Sequence, residues 1–371
     1  MKGDISKKYN PNSYNALDVS VAFIIILLLF VVLEVVVAVT ARRLIAENEN
    51  FDYYLYLCVS VILTQGLIFA SAFVFSRLRG VPLFDGGGFV YKFDIIGILF
   101  GVILASGIYF LVFSAHFTFT ENVFEVFYGL DYEEYTTQLN ELYTGNEFYA
   151  LLYIYILTPL LPCIAEEVFF RGIVMRGLRQ FGVTASVVLS TMCFTLMHGN
   201  VEQIVLQFCL GLAIGATVTI TGNFMIGAAM HFSNNLFVSL YSVNSSIVGE
   251  LSAGGEEFAD SVYIILGIIF IIVGGYYFIN LAIKNKERKI KNTPREIALK
   301  EQSYYAVVKR NGEAAQRLYP VQVNDAILSD GTFYYLSKNG FKRVNKRANA
   351  YLSAILLAVG LIGSVIIIFW S

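Results

Sequence analysis

The chain has 371 residues, 57% of them hydrophobic and only 15% charged, with a net charge of −2. A soluble globular chain carries about 45–50% apolar and about 25% charged residues, so this composition excludes an ordinary soluble protein. The apolar residues come in blocks of about 20, the length with which a helix crosses ~30 Å of hydrocarbon. The fold class expected is an all-α polytopic membrane protein. It would be a bundle of about eight or nine transmembrane helices with a small cytoplasmic insert that is compatible with β-structure.

Candidate spans fall at roughly 18–40, 53–75, 94–115, 148–168, 183–199, 203–221, 224–242, 261–283 and 351–370. The first is preceded by Lys2, Lys7 and Lys8. It is too long for a signal h-region and no small-residue cleavage site follows, so it is expected to remain as an uncleaved span. Spans four to seven carry more polar residues and glycines than the rest, which predicts that they face one another while the outer spans face lipid. Gly211 and Gly215 in span six form a small-xxx-small pair that permits close helix approach. Cys58, Cys163, Cys193 and Cys209 lie in apolar runs with no CxxC pair and read as buried core residues.

Basic residues in short loops set orientation. Arg77, Arg79 and Lys92 follow span two, Arg171, Arg176 and Arg179 follow span four, and a long basic stretch follows span eight. The alternate loops hold Glu121, Glu125, Asp131, Glu133, Glu134, Glu141 and Glu147, then Glu250, Glu256, Glu257 and Asp260, with no Lys or Arg. In the first outer loop Arg42 and Arg43 are outnumbered by Glu47, Glu49 and Asp52. A multi-pass protein of the cell membrane is expected, with its N-terminus cytoplasmic and its C-terminus outside. Residues 284–350 form the cytoplasmic insert. It opens on KNKERKIKNTPRE, an anchor near anionic lipid. The turn dipeptides Asn311-Gly312, Asp330-Gly331 and Asn339-Gly340 punctuate its apolar-aromatic runs. It has no His and no Cys, so no catalytic role is expected of it.

A charge at the bilayer centre costs about 2.5–3.5 kcal/mol, so ionisable residues inside spans point to function or pairing. Span four reads TPLLPCIAEEVFFRG. Glu167 and Arg171 are four apart and share a helix face, whereas Glu166 is turned by about 100° from Glu167. This predicts a structural Glu167–Arg171 pair and a Glu166 free to face the bundle interior. Span five ends CFTLMHGN, with Phe194 and His198 on one face. Span seven reads GAAMHFSNNLF, with His231 and Asn235 on one face and Asn234 turned away. His116, beside the acidic loop, reads as interfacial. Glu166 and His198 lie equally far from a bend near Phe181-Gly182 and so fall at one depth. That placement requires the stretch Arg171 to Arg179 to stand out into the cytoplasm, where the site would open.

A glutamate can take a proton from water, a His can hold that water, and a second His with an Asn amide can donate to an oxyanion. The set fits water-driven amide hydrolysis. Two His and a Glu are also a zinc set, although HExxH is absent. A divalent metal such as zinc therefore stays open and is not required by the glutamate chemistry. No P-loop, dinucleotide fingerprint or internal repeat is present, and no nucleic-acid partner is expected.

At these residues the sequence resembles the CPBP family of CAAX protease and bacteriocin-processing (Abi) intramembrane endopeptidases. Over about residues 150–240, Glu166-Glu167 to Arg171 looks like the family's EExxxR motif. Phe194 to His198 looks like FxxxH, and His231 to Asn235 looks like HxxxN. The resemblance implies Glu166 and His198 as the water-activating pair, His231 and Asn235 as the oxyanion-binding pair, and Arg171 as support for Glu167. With the spans and loops, the chain is expected to divide into N-terminal helices and acidic loop (1–147), catalytic core (148–245), outer loop and helix (246–283), insert (284–350) and final helix (351–371). A peptide or membrane-protein substrate within the lipid bilayer is implied, with oligomeric state open. Family members are often named metalloproteases. A non-enzymatic bacteriocin-immunity or binding protein, or a transporter using the same charges, are the alternatives.

Overall fold

The computed structural model describes residues 14, 16–47, 51–79, 83, 93–128, 145–199, 203–252, 256–291, 304–308, 317–321, 333–337, 340–343 and 346–370. Lys2, Lys7, Lys8, Lys92, most of the acidic segment 129–147, Asn311-Gly312 and Asp330-Gly331 lie outside the described residues. The described helices are α1 (Ala16–Glu47), α2 (Tyr53–Arg79), α3 (Ile95–Tyr128), α4 (Glu147–Leu178), α5 (Val183–Met197), α6 (Ile204–Thr221), α7 (Phe224–Ser252), α8 (Glu256–Lys291) and α9 (Lys346–Trp370).

Among the described residues six helical segments are long and apolar enough to cross a bilayer: α1, α2, Ile95–Val112 of α3, α4, α6 and Ser261–Asn285 of α8. Val183–Met197 and Tyr351–Val365 are shorter apolar helices. The 15 residues of α5 rise only ~22 Å, short of the ~30 Å of a hydrocarbon core. The chain is a helical, multi-pass membrane protein. Its surface is inverted relative to a soluble fold. Leu28, Val32, Val35, Val36 and Val39 of α1 and Ile265, Ile272 and Ile279 of α8 are exposed, while Gln65, Glu166, Glu167, Arg171, Gln207, His231 and Asn234 are buried. Aliphatic groups lose nothing against lipid, whereas an unmet polar group there costs several kcal/mol. The inward polar set lies on α2, α4, α6 and α7, and α4 packs against α2, α5 and α7.

α4 is irregular for reasons its sequence states. It holds π-helical stretches at Tyr153–Leu157 and Glu167–Val174, with Pro159 and Pro162 on the α-helical stretch between them. Pro162 has no N–H to offer the Thr158 carbonyl four residues before it. Single π turns are rare in helices and recur at functional sites. α4 ends in a 3₁₀ turn, Arg179–Phe181, and the chain reverses at Gly182, whose φ of 104° suits only glycine without strain. α5 then runs antiparallel to α4, with Ser190 Oγ donating to the Phe170 carbonyl at 3.0 Å.

In the insert, β1 (Tyr304–Val308), β2 (Arg317–Val321), β3 (Phe333–Ser337) and β4 (Gly340–Arg343) pair antiparallel in the order β2-β1-β3-β4. Tyr304 faces Val321 across β1 and β2, and Ser337 faces Gly340 across β3 and β4.

Candidate active site

Three helices bring their ionisable groups to one place. Glu166 Oε2 on α4 lies 4.0 Å from His198 Nε2 at the end of α5 and 3.9 Å from His231 Nε2 on α7. His231 is 1% exposed and Glu166 8%, whereas His198 is 18% exposed, so the cluster is open on the His198 side. Phe194 packs edge-on against both imidazoles, with ring centroids 4.8 Å from His198 and 5.5 Å from His231.

Hydrogen bonding on the far side of each ring decides which nitrogen faces Glu166 as an acceptor. His198 Nδ1 is 2.8 Å from the Phe194 carbonyl, which can only accept, so Nδ1 carries the proton. His231 Nδ1 is 3.0 Å from Glu167 Oε1, and the same reasoning makes it a donor. In the neutral rings both Nε2 atoms are therefore lone-pair acceptors turned to the carboxylate. Glu166 Oε2 and His231 Nε2 are buried and have no hydrogen-bond partner among the described residues. Three acceptors around one gap of 3.9–4.0 Å suit a proton donor such as water placed between them.

Glu167 has a larger part than a structural pair with Arg171 requires. Its Oε1 is 2.9 Å from Arg171 Nη1 and also receives His231 Nδ1–H. The π-helical stretch that starts at Glu167 widens the turn, so both adjacent carboxylates reach the cluster although they are successive residues. Arg171 is 2% exposed, donates from Nη2 to the Gly211 carbonyl at 3.3 Å and lies 4.5 Å over the Phe194 ring. The segment from Arg171 to Leu178 is packed helix, mostly buried against its neighbours. Arg171, which the charge pattern also counts with the basic residues after span four, is the buried partner that helix spacing predicts for Glu167.

Gly211 permits this arrangement. A Cβ there would sit 2.9 Å from Thr191 Cγ2, 3.2 Å from Phe194 Cδ1 and 3.5 Å from Arg171 Nη2. Gly211→Val is expected to destabilise by about 1–3 kcal/mol through overpacking, read as a lower unfolding temperature in detergent. A Gly215→Ala control, whose Cβ would meet Val187 2.9 Å away but nothing of the cluster, should lose stability without further loss of function.

Asn235 stands one turn beyond His231. Its Nδ2 donates to the Thr158 carbonyl at 3.5 Å, the oxygen that Pro162 leaves without a ladder donor. It is not hydrogen-bonded to Glu166, Glu167, His198 or His231 among the described residues. Asn234, expected to turn away, is fully buried and donates from Nδ2 to Asn235 Oδ1 at 3.3 Å. That contact uses the Asn235 oxygen as acceptor and leaves Nδ2 as the donor. Sequence reasoning missed Gln65. Its Nε2 donates to Glu166 Oε1 at 2.8 Å from α2. The available signal was a glutamine in the middle of an apolar span.

A metal would have to use Glu166 Oε2, His198 Nε2 and His231 Nε2. Neighbouring ligands of a tetrahedral zinc with bonds of about 2.0–2.1 Å lie about 3.3 Å apart. The observed 3.9–4.0 Å is wider. Among the described residues no group of three or more His, Cys, Asp or Glu side chains is arranged to hold a metal ion.

Residues 148–237 match the Rce1-like family, described as Type II CAAX prenyl endopeptidase Rce1-like. The matched segment contains Glu166, Glu167, Arg171, His198, His231 and Asn235. Over these residues the chain is similar to that CAAX prenyl endopeptidase family. No curated protein and no solved structure matches the chain. That family is one of endopeptidases, and the matched helices α4, α5 and α7 are those that bring Glu166, His198 and His231 together.

Proposed function

We propose that the protein is an intramembrane endopeptidase that hydrolyses a peptide bond with water activated by Glu166. One observation carries the reading: a buried carboxylate oxygen facing two imidazole Nε2 atoms at 3.9–4.0 Å, within a segment matched to a protease family. A water in that gap donates one hydrogen to Glu166 Oε2 and is held by His198 Nε2. Glu166 takes its proton as the oxygen attacks the scissile carbonyl carbon. The oxyanion is met by Asn235 Nδ2–H and by His231. To donate from Nε2, His231 has to carry both protons, and Glu167 Oε1 at Nδ1 balances that charge. The tetrahedral intermediate collapses as Glu166 returns the proton to the leaving nitrogen. Arg171 keeps Glu167 in place.

The substrate class is a peptide or membrane-protein segment, as for CAAX-processing or bacteriocin-related (Abi) proteases. In this reading about eight or nine of the helices lie in the membrane, with the N-terminus cytoplasmic. The insert works as a small β-rich cytoplasmic unit, a role supported by the antiparallel pairing of its strands. A zinc held by Glu166, His198 and His231 is the second reading, favoured by the His₂Glu donor chemistry alone. Dialysis against 1,10-phenanthroline separates the two: the glutamate mechanism keeps its rate, and a loss restored by Zn²⁺ supports the metalloprotease.

The experiment compares membrane peptides by mass spectrometry in cells with the wild type and with Glu166→Ala, followed by a fluorogenic peptide assay of the purified wild type, Glu166→Ala and His231→Ala. Substrate should accumulate in the variant cells, and both purified variants should lose cleavage. Cleavage that survives in both would defeat the proposal.

A further inference from the structure

α2 lies outside the family-matched segment 148–237, yet it reaches the cluster. Near the cluster its polar side chains serve different ends. Ser60 Oγ donates to the Tyr56 carbonyl at 2.9 Å and Thr64 Oγ1 to the Ser60 carbonyl at 3.0 Å, so both are satisfied within their own helix. Gln65 is 9% exposed and spends its amide across the bundle, donating from Nε2 to Glu166 Oε1 at 2.8 Å. α2 is held to α4 a second time near its start. There Asp52 accepts from Leu55 N through Oδ1 at 2.9 Å and from Asn146 N, beside the first turn of α4, through Oδ2 at 3.0 Å. One contact just before the start of both helices and a second midway along each set α2 parallel to α4, with Gln65 opposite Glu166.

The two oxygens of Glu166 are thereby unequal. Oε1 is occupied by an amide donor, and Oε2 is left without a hydrogen-bond partner and faces His198 and His231. A carboxylate without the amide could rotate about its last torsion, a broad one for a terminal sp³–sp² bond, and present either oxygen to either neighbour. Filling one oxygen removes that freedom and aims the other.

We infer that Gln65 is the positioning residue of the Glu166 base, holding Oε1 so that Oε2 alone faces the two imidazoles; this rests on the peptidase reading. The amide touches no reacting atom. It acts through Glu166. Its loss should therefore lower turnover while leaving substrate binding as it was.

The test is steady-state kinetics on purified full-length protein in detergent, with a fluorogenic peptide. It compares the wild type with Gln65→Met, Gln65→Glu and the control Glu166→Gln. A hydrogen bond to a charged group corresponds to about a 10- to 100-fold change in rate. Gln65→Met should lose kcat by that factor, with KM within about twofold of wild type and an unchanged unfolding temperature. Gln65→Glu keeps the shape but replaces the donor by an acceptor, so it should lose kcat as well. It decides the matter if the Met variant does not fold. Inactive Glu166→Gln together with wild-type kcat in both Gln65 variants would overturn the positioning role and leave the peptidase reading standing. An active Glu166→Gln would overturn the reading itself. A loss that falls on KM alone, or that tracks a lowered unfolding temperature, would make Gln65 a packing residue and end the inference.

Discussion

Glu166→Gln is expected to abolish peptide cleavage, with kcat falling by about 10²–10⁴-fold, the range over which a positioned general base contributes. The substitution preserves the shape of the site. The new amide still offers an oxygen to Gln65 Nε2, which now meets Glu166 Oε1 at 2.8 Å. What it removes is the proton acceptor at Oε2, 3.9 Å from His231 Nε2 and 4.0 Å from His198 Nε2. KM should move little, because the carboxylate acts on water and not on substrate binding. The measurement is steady-state turnover of a fluorogenic peptide by protein whose unfolding temperature matches the wild type. Full turnover by the variant would show that Glu166 is only a buried acceptor.

The second large effect falls on stability. Arg171→Met should destabilise by about 3–5 kcal/mol, the cost of leaving one member of a buried ion pair without its partner. Glu167 is 1% exposed and Arg171 2%, so neither charge is screened by solvent. Loss of the guanidinium also empties the face of the Phe194 ring and the Gly211 carbonyl contact. His231 Nδ1–H still reaches Glu167 Oε1, which keeps the loss within that range instead of beyond it. The double variant Arg171→Met with Glu167→Gln should recover much of the stability, because no buried charge is left unpaired. It should not recover cleavage, since Glu167 holds His231. Unfolding in mild detergent followed by thermal scanning reads the first effect, and the same peptide assay reads the second. A double variant no more stable than Arg171→Met would contradict the ion-pair account.

How far these residues were legible follows from the range of each interaction. The Glu167–Arg171 pair was readable because helical geometry brings residues four apart together whatever lies around them. The opposition of Glu166 and His198 was readable because two helices joined at the Gly182 turn keep equal distances from it. The polar richness of spans four to seven marked α4 to α7 as inward helices for the same local reason, that lipid tolerates no unmet polar group, but it left out α2, which turns Gln65 inward. His231 and Asn235 could be placed on one face of α7, but not against any partner.

By itself the sequence determined a helical membrane protein, the identity of the ionisable residues within its helices, and every relation confined to one helix or one tight turn. Only the tertiary structure decided that Glu167 serves His231 as well as Arg171, across 64 positions, and that Gln65 holds Glu166 across 101. It decided too that Arg171 is buried, and that Asn235 caps the carbonyl freed by Pro162. The reason is physical: periodicity tells which way a side chain leaves its own helix. The atom it meets depends on how helices cross, and on local breaks such as the π-helical turn after Glu166.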